Sequence, residues 1–301
     1  MSPSPPCRGG KPRIAGVVVL YQPGEEVADN VSTYIGEVEV LFAVDNSDDD
    51  GNCSAGRLKE MEKVVYLANR TNLGVAAALN RGAGLALERG FDFLLTMDQD
   101  SRATPGMVRA MLDCLNVLTP GDIGIVAPFL ATRPGERPVG KADCPEVETA
   151  MTSGSLLDLR VYEKAGPFLD ELFVDFVDIE YCLRLRASGY RIFRANRAVL
   201  EHRVGELMKV PMVGGDLYLT SHAPLRKYYK TRNRFFVAKR YRTLFPEFCL
   251  RDRVRFFLEL VRLLLFEGEK RQKLAMMAKG YCDYRKGRMG RYDQGAKGGL
   301  A

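Results

Sequence analysis

The sequence contains no tryptophan and only two histidines, His202 and His222, among its 301 residues. A metal site built from several histidines is therefore excluded. The seven cysteines (7, 53, 114, 144, 182, 249 and 282) are an odd, scattered set without a C-x-x-C pair. That pattern argues against a disulfide framework or a structural zinc and favours a reducing compartment. Long apolar runs are missing too. FFLELVRLLLF (256–266) is 11 residues long and is interrupted by Glu259 and Arg262, whereas a bilayer span needs about 20 predominantly apolar residues. The opening MSPSPPCRGGKPR lacks the apolar centre of a secretory signal and reads as a disordered lead over 1–13. The 29 Gly and 15 Pro follow no period, which removes collagen-like and coiled-coil readings.

What is present suits a globular chain: 46% apolar and 27% charged residues, enough apolar surface to offset the entropy of ordering. Charge is divided unevenly. Residues 223–301 hold 21 Lys and Arg against 7 Asp and Glu, a net of +14, while the whole chain is +6 and residues 1–222 carry −8. A basic tail on an acidic body points to an anionic partner, nucleic acid or anionic lipid, or to a solvated helical surface.

Short apolar runs at 14–20 (IAGVVVL), 38–44, 64–67, 91–97 and 123–129 read as strands. Helical stretches near 25–35, 55–62, 73–89 and 105–117 alternate with them, which indicates a parallel sheet covered on both faces. The pattern fades into a loop over 130–147, a short strand is expected near 147–151, and a helix from about Asp178 ends at Gly189. From about 220 onward the pattern is nearly all helical.

Four segments can carry chemistry. Asp45-Asn46-Ser47 closes the second strand, where open parallel sheets bind ligands; a polar turn is the plainer use. NLGVAAALNRG (72–82) opens a helix whose first turns are bare enough for close backbone approach and anion binding, or for tight helix–sheet packing. Met97-Asp98-Gln99-Asp100 ends the fourth strand with two carboxylates that a cation would hold together. LFVDFVDIEYCLRLRASGYRI (172–192) places Asp175, Asp178 and Glu180 around a helix start, where the dipole stabilises acids and one of them could serve as a general base.

In this order the segments resemble the inverting family 2 glycosyltransferases of the GT-A fold. VDNSD resembles their base-contacting segment, NLGVAAALNRG their N-x-G-x-A helix start, and MDQD their D-x-D metal motif. VDIEYCLRLRASGYRI resembles their E-D-x-D helix, with Asp178 at the motif aspartate, Val177 in place of Glu and Glu180 in place of the second Asp. LYQP, TSGSL, FVDFVDIEYCLR and HAPLRKYYKTRN further resemble bacterial rhamnosyltransferases that use dTDP-rhamnose. The resemblance covers roughly 14–240.

It implies an α/β GT-A fold, a Rossmann-like mixed sheet flanked by helices with a C-terminal helical appendage. The catalytic domain would span 14–220, with a nucleotide half to about 130 and an acceptor-side half from 131, followed by a basic helical region over 221–301. It implies Asp178 as base, a nucleotide site of Tyr21, Asp45, Asn72, Gly74, Asn80 and Asp98, and an acceptor or diphosphate side of Ser153, Gly154, His202, Arg232 and Asn233. Mg²⁺ or Mn²⁺ would be held by Asp100 with His202. For His202 a structural role, and for Arg232 and Asn233 a solvated basic helix, are the alternatives. The implied partners are a nucleotide-sugar donor such as dTDP-L-rhamnose and a glycan or lipid-linked acceptor in cell-surface polysaccharide synthesis, with no nucleic acid expected; the basic tail adds an anionic membrane surface or a second copy of the chain as candidates. The implied place is the cytoplasm or the inner face of its membrane.

Rival readings fit less of the sequence. Another nucleotide sugar, with UDP or GDP, would use the same motifs. A sugar-phosphate nucleotidyltransferase would carry a basic Gly-rich loop after the first strand, where YQPGEE is acidic with one Gly. A processive synthase would carry membrane spans and a Q-x-x-R-W motif, and the chain has no Trp. A non-catalytic binding module leaves MDQD and Asp178 without a role. Near the end, Val254, Phe257, Leu258, Val261 and Leu265 recur among Arg251, Arg255 and Arg262. Such a helix can lie on an anionic membrane or pack against protein.

Overall fold

IAGVVVL becomes strand β1 (Ile14–Leu20), buried along its whole length. Burial of both faces explains why its sequence shows no polar alternation. The computed structural model describes residues 11–48, 56–118, 121–132, 136–138, 140, 142–202, 206–212 and 215–293, and of 202–221 the backbone alone. Most of the 1–13 lead thus lies outside the described residues.

β1 pairs in parallel with β2 (Val40–Asp45) on one side and β4 (Phe93–Asp98) on the other, and β3 (Val64–Ala68) follows β2. Beyond β4 the sheet becomes mixed. β7 (Ser155–Asp158) is antiparallel to both β4 and β6 (Ile123–Ala131); β6 is parallel to β8 (Arg191–His202); β5 (Ser101–Ala103) ends the sheet antiparallel to β8. The order is β3-β2-β1-β4-β7-β6-β8-β5.

Alternate side chains of a strand point to opposite faces, and β1 packs accordingly. Ile14, Val18 and Leu20 share a core with Val27 and Val31 of α1 (Val27–Ser32) and Met107 and Met111 of α4 (Met107–Val117). Val17 points the other way, onto α3 (Val75–Glu88) at Gly82, where an added Cβ would lie 2.4 Å from Val17 Cγ2. The mixed α/β sheet flanked by helices is the architecture expected.

The details differ in three places. The strand expected near 147–151 is absent; there only Glu146 bridges, to Phe193, and the strand forms instead at the SLLD of TSGSLLDLR, which pairs with β4. β5, β8 and the hairpin of β9 (Glu206–Met212) with β10 (Gly215–Ser221) carry no comparable apolar run. Cys114 of α4 and Cys144, members of a set whose scatter argues against a disulfide framework, form a disulfide with Cα atoms 5.8 Å apart across 30 residues. Among the described residues Cys182, Cys249 and Cys282 are free thiols.

Contacts divide the chain into two units, Met1–Leu169 with Asp178–Arg203, and Asp170–Val177 with Val204–Ala301. The second begins earlier than 221 because the β9–β10 hairpin groups with the helices α7 (Pro224–Tyr241), α8 (Pro246–Phe266) and α9 (Lys270–Arg285). Proline at the first positions of α7 and α8 costs nothing, since those N–H groups have no intrahelical acceptor. Within this unit Glu267, fully buried, receives Lys227 at 3.0 Å and Lys273 at 2.9 Å, and Arg234 bonds Asp252 at 3.0 Å and Glu259 at 3.1 Å. Among the described residues no helix is long and apolar enough to cross a membrane.

The contact between α3 and β1 yields a test within one helix. Gly82→Ala drives a methyl into Val17 and should cost about 1–3 kcal/mol. Gly84→Ala, which meets nothing within 4 Å, should stabilise by about 0.5–1 kcal/mol through helix propensity. Urea midpoints of the two variants check the opposite signs.

Candidate active site

Because β1, β2 and β4 run parallel, their C-terminal ends share one edge, the usual ligand edge of such sheets. Leu20 is in register with Asp45, and Val19 with Asp98. The two carboxylates therefore leave strands on either side of β1 one residue apart in level. Asp45 is buried; it accepts the Ser47 N–H at 2.8 Å and the Tyr66 hydroxyl. Each carboxylate oxygen keeps a second lone pair.

Asn46 joins this edge to the helix start. Its amide donates to the Gly74 carbonyl at 2.9 Å, and its oxygen accepts from Asn69 at 2.7 Å. Asn72 accepts the Gly74 N–H at 3.0 Å, and Gly74, at the N-cap of α3, offers no side-chain acceptor to the helix. The first turn of α3 therefore receives no cap from the Gly74 side, and helix starts in general favour anions.

Gln99, between the two aspartates, shapes the D-x-D turn. It accepts the Tyr21 N–H at 2.8 Å and donates to the Tyr21 carbonyl at 3.3 Å, while its own carbonyl accepts Asn30 at 2.9 Å. Asp98 and Asp100 are both half-buried. The Ser153 hydroxyl accepts the Asp98 N–H at 3.2 Å and bonds Ser101 Oγ at 2.8 Å. The neighbouring Gly154 donates to the Thr96 carbonyl at 2.7 Å, and the Thr96 hydroxyl sits between the carbonyls of Thr152 and Ser155. Gly154 has φ +79°, and a Cβ there would lie 2.7 Å from Pro128 Cγ, so both conformation and space require glycine. His202 is in backbone register with Ser101, one residue past Asp100; its side chain lies outside the described residues.

Asp178 and Ser153 line one cavity of about 330 Å³, together with Pro128, Thr149, Met151 and Arg194. Asp178 stands in the first turn of α6 (Val177–Ala187) and accepts the Ile179 N–H at 2.8 Å. Glu180 is fully buried and paired with Arg184 at 3.1 Å, and Arg184 also donates to the carbonyls of Ala165 and Pro167. The structure thus separates the two acids of VDIE, one at the cavity and one in the framework. Cys182 lines a smaller pocket behind Asp178, and burial pushes its thiol up to about 12. Arg194 was not singled out in the sequence, because a lone arginine inside a strand carries no pattern.

Three of the expected site residues are engaged elsewhere. Asn80 is tied to Phe168 through both amide atoms and to the Tyr162 hydroxyl. Arg232 and Asn233 are each 0% exposed within the second unit. Arg232 donates to the carbonyls of Gly290 and Leu172, and the Asn233 amide nitrogen lies 2.7–2.8 Å from the carbonyls of Leu172, Val174 and Asp175. As placed, both hold the segment that precedes Asp178 in the chain. Phe173, Asp175 and Phe176 there all have φ between +58° and +65°, a conformation that side chains resist. Burial pushes the Asp175 carboxyl above its usual range, against the pull of Arg226 at 3.2 Å.

Asn233→Ala removes the amide donor that the Val174 and Asp175 carbonyls share. The loss should cost about 1–3 kcal/mol, read as a lower urea midpoint. A variant as stable as the parent would show that this latch does not hold the segment.

Residues 25–140 match the model of glycosyl transferase family 2. The match includes Asp45, Asn72, Gly74, Asp98 and Asp100 and ends before Ser153 and Asp178. The dTDP-rhamnosyl transferase RfbF of Shigella flexneri is 26% identical over 248 residues, covering 75% of this chain and 80% of that protein. An uncharacterized protein of Mycobacterium tuberculosis is 26% identical over 144 residues, covering 44% of this chain and 54% of the relative, so the chain spans about half that relative's length. Among solved structures, GalNAc-T7 with UDP, GalNAc and Mn²⁺ aligns with a TM-score of 0.56 at 12% identity, over 75% of this chain and 47% of that one. That likeness concerns the fold alone, and the fold is the GT-A arrangement.

Proposed function

We propose that this chain, whose residues 25–140 carry a family 2 glycosyl transferase domain, is an inverting glycosyltransferase that moves L-rhamnose from dTDP-L-rhamnose onto a hydroxyl of a cell-surface glycan or lipid-linked acceptor. The observation that carries the reading is the shared cavity of Asp178 and Ser153, with Ser153 hydrogen-bonded to the backbone of the D-x-D turn. A candidate base and a candidate diphosphate site are thereby joined through one side chain. The similarity to RfbF supports rhamnose.

Asp98 and Asp100 supply two hard oxygen donors, and among the described residues no third His, Cys, Asp or Glu completes a metal cage with them. Such a pair fits a divalent ion that takes its remaining ligands from diphosphate and water, as Mg²⁺ does. Mn²⁺ in the GalNAc-T7 structure is in keeping with this. When bound at Asp100, the ion supplies Lewis-acid stabilisation of the charge that grows on the leaving diphosphate.

The chain's own groups perform the rest. Asp45 presents acceptor lone pairs to an N–H on the edge of the pyrimidine ring, and Gly74 with the first turn of α3 faces the phosphates. Asp178 takes the proton of the acceptor hydroxyl as that oxygen bonds to C1, and the bond from C1 to the diphosphate oxygen breaks on the opposite face. One displacement inverts the anomeric centre and needs no covalent sugar–enzyme species. Ser153, Gly154 and Arg194 shape the acceptor side. With +14 on residues 223–301, the enzyme works in the cytoplasm against an anionic membrane that presents the acceptor.

Asp178→Asn keeps shape but cannot accept the proton, so turnover should fall by at least ~10²-fold with donor binding nearly unchanged by calorimetry. Glu180→Gln should lower the melting temperature instead; if it damages turnover more than Asp178→Asn does, the base is misassigned.

Asp100→Ala should fold normally and lose the metal-dependent part of nucleotide affinity. Full turnover in EDTA would remove the metal from the mechanism. In the same calorimeter dTDP-L-rhamnose should bind more tightly than UDP-glucose, UDP-galactose or GDP-mannose. A preferred UDP or GDP sugar would overturn rhamnose and leave the transferase class standing.

A further inference from the structure

α8 is apolar on two sides. One side docks onto its own unit: Phe248, Cys249, Asp252 and Leu263 are buried, Asp252 and Glu259 bond Arg234, and Phe256 meets the Phe235 ring edge-on. The other side carries Leu250, Val254, Phe257, Leu258, Leu264 and Leu265, between 47 and 63% exposed. At 3.6 residues per turn these six fall on one arc of about 120°. Packing within the fold does not account for this second face.

The borders of the arc are basic. Arg251 and Arg255 stand on one side and Arg253 on the other, all exposed, whereas the half-buried Arg262 turns to Glu267 at 3.7 Å. The only exposed acid on α8 is Glu247 at its start, which faces Arg251 at 3.8 Å. Arginine stems can cover apolar surface while the heads reach outward to anionic groups. We propose that this outward face of α8 lies in the plane of an anionic lipid leaflet, its leucines and Phe257 below the headgroups and its arginines among them. The proposal rests on the reading of the enzyme as one that meets its acceptor at a membrane, and it names the surface that makes the contact.

A second copy of the chain fits this face less well. An isologous pairing brings the same patch to both sides. Arginine borders would then meet arginine borders, with no exposed acid of α8 besides Glu247 to offset them. Lipid headgroups supply the missing negative charge.

The test uses the full chain and vesicles of phosphatidylglycerol mixed with phosphatidylcholine, against phosphatidylcholine alone. The parent should float with the anionic vesicles at low salt and detach as salt rises. The triple variant Arg251→Gln, Arg253→Gln, Arg255→Gln should bind about 10²-fold more weakly, and Phe257→Glu with Leu265→Glu should not float. Because the chain has no Trp, Phe257→Trp installs a single reporter. Its emission should shift to the blue and be quenched by brominated lipid, whereas Val117→Trp, on the first unit, should do neither. Donor hydrolysis by Phe257→Glu with Leu265→Glu should equal that of the parent, so a failed flotation and a failed transferase reading give different results. Flotation of that variant like the parent overturns the proposal. So does a parent that ignores anionic vesicles and elutes as a dimer which the variant breaks.

Discussion

The pairing of β1 with two parallel neighbours is the constraint on which the candidate site depends. Once Val19 is in register with Asp98 and Leu20 with Asp45, every loop that leaves β1, β2 and β4 emerges at one edge. A slip of one residue would exchange the faces of a whole strand. It would turn Val17 away from Gly82 and remove the close approach of α3. Register is thus enforced by packing on both faces, and the chemistry at the strand ends inherits that precision. The antiparallel strand β7 completes the edge, because its pairing with β4 delivers Ser153 to the backbone of Asp98 and Gly154 to that of Thr96.

The segment Asp170–Val177 shows a different economy. Three residues with positive φ are individually unfavourable, each by about 1–3 kcal/mol, and they persist because surrounding groups over-determine them. Asn233 reaches three of the segment's carbonyls, Arg232 reaches one of the same three, Leu172, and that of Glu171, and Arg226 holds the Asp175 carboxylate. Polar residues that look like ligand binders in a linear motif can therefore act as internal latches. Burial decides between the two uses: a fully enclosed guanidinium whose donors meet backbone carbonyls has few left for a substrate. The same logic separates Glu180 from Asp178, two acids of one short motif.

Charge is organised at two depths in the second unit. Inside, Glu267 with Lys227 and Lys273, and Arg234 with Asp252 and Glu259, are enclosed pairs whose disruption would leave a buried charge uncompensated. Outside, the arginines of α8 flank apolar side chains. Net charge alone does not distinguish these arrangements. The +14 of the C-terminal region combines lysines spent on internal pairing with arginines turned outward.

By itself the sequence determined the local elements whose signal is local. The valine run of β1, the bare start of α3 and the prolines opening α7 and α8 can each be read within a dozen residues, because propensity and periodicity act over that range. The places of Asp45 and Asp98 at strand ends and of Asp178 at a helix start were legible for the same reason. Only the tertiary structure decided which polar residues face a cavity and which are enclosed, that β4 takes Ser155–Asp158 as its antiparallel neighbour, and that Cys114 reaches Cys144. Those outcomes depend on contacts between residues 30 to 88 positions apart, and no local pattern encodes which distant partner a strand end, a thiol or an arginine will meet.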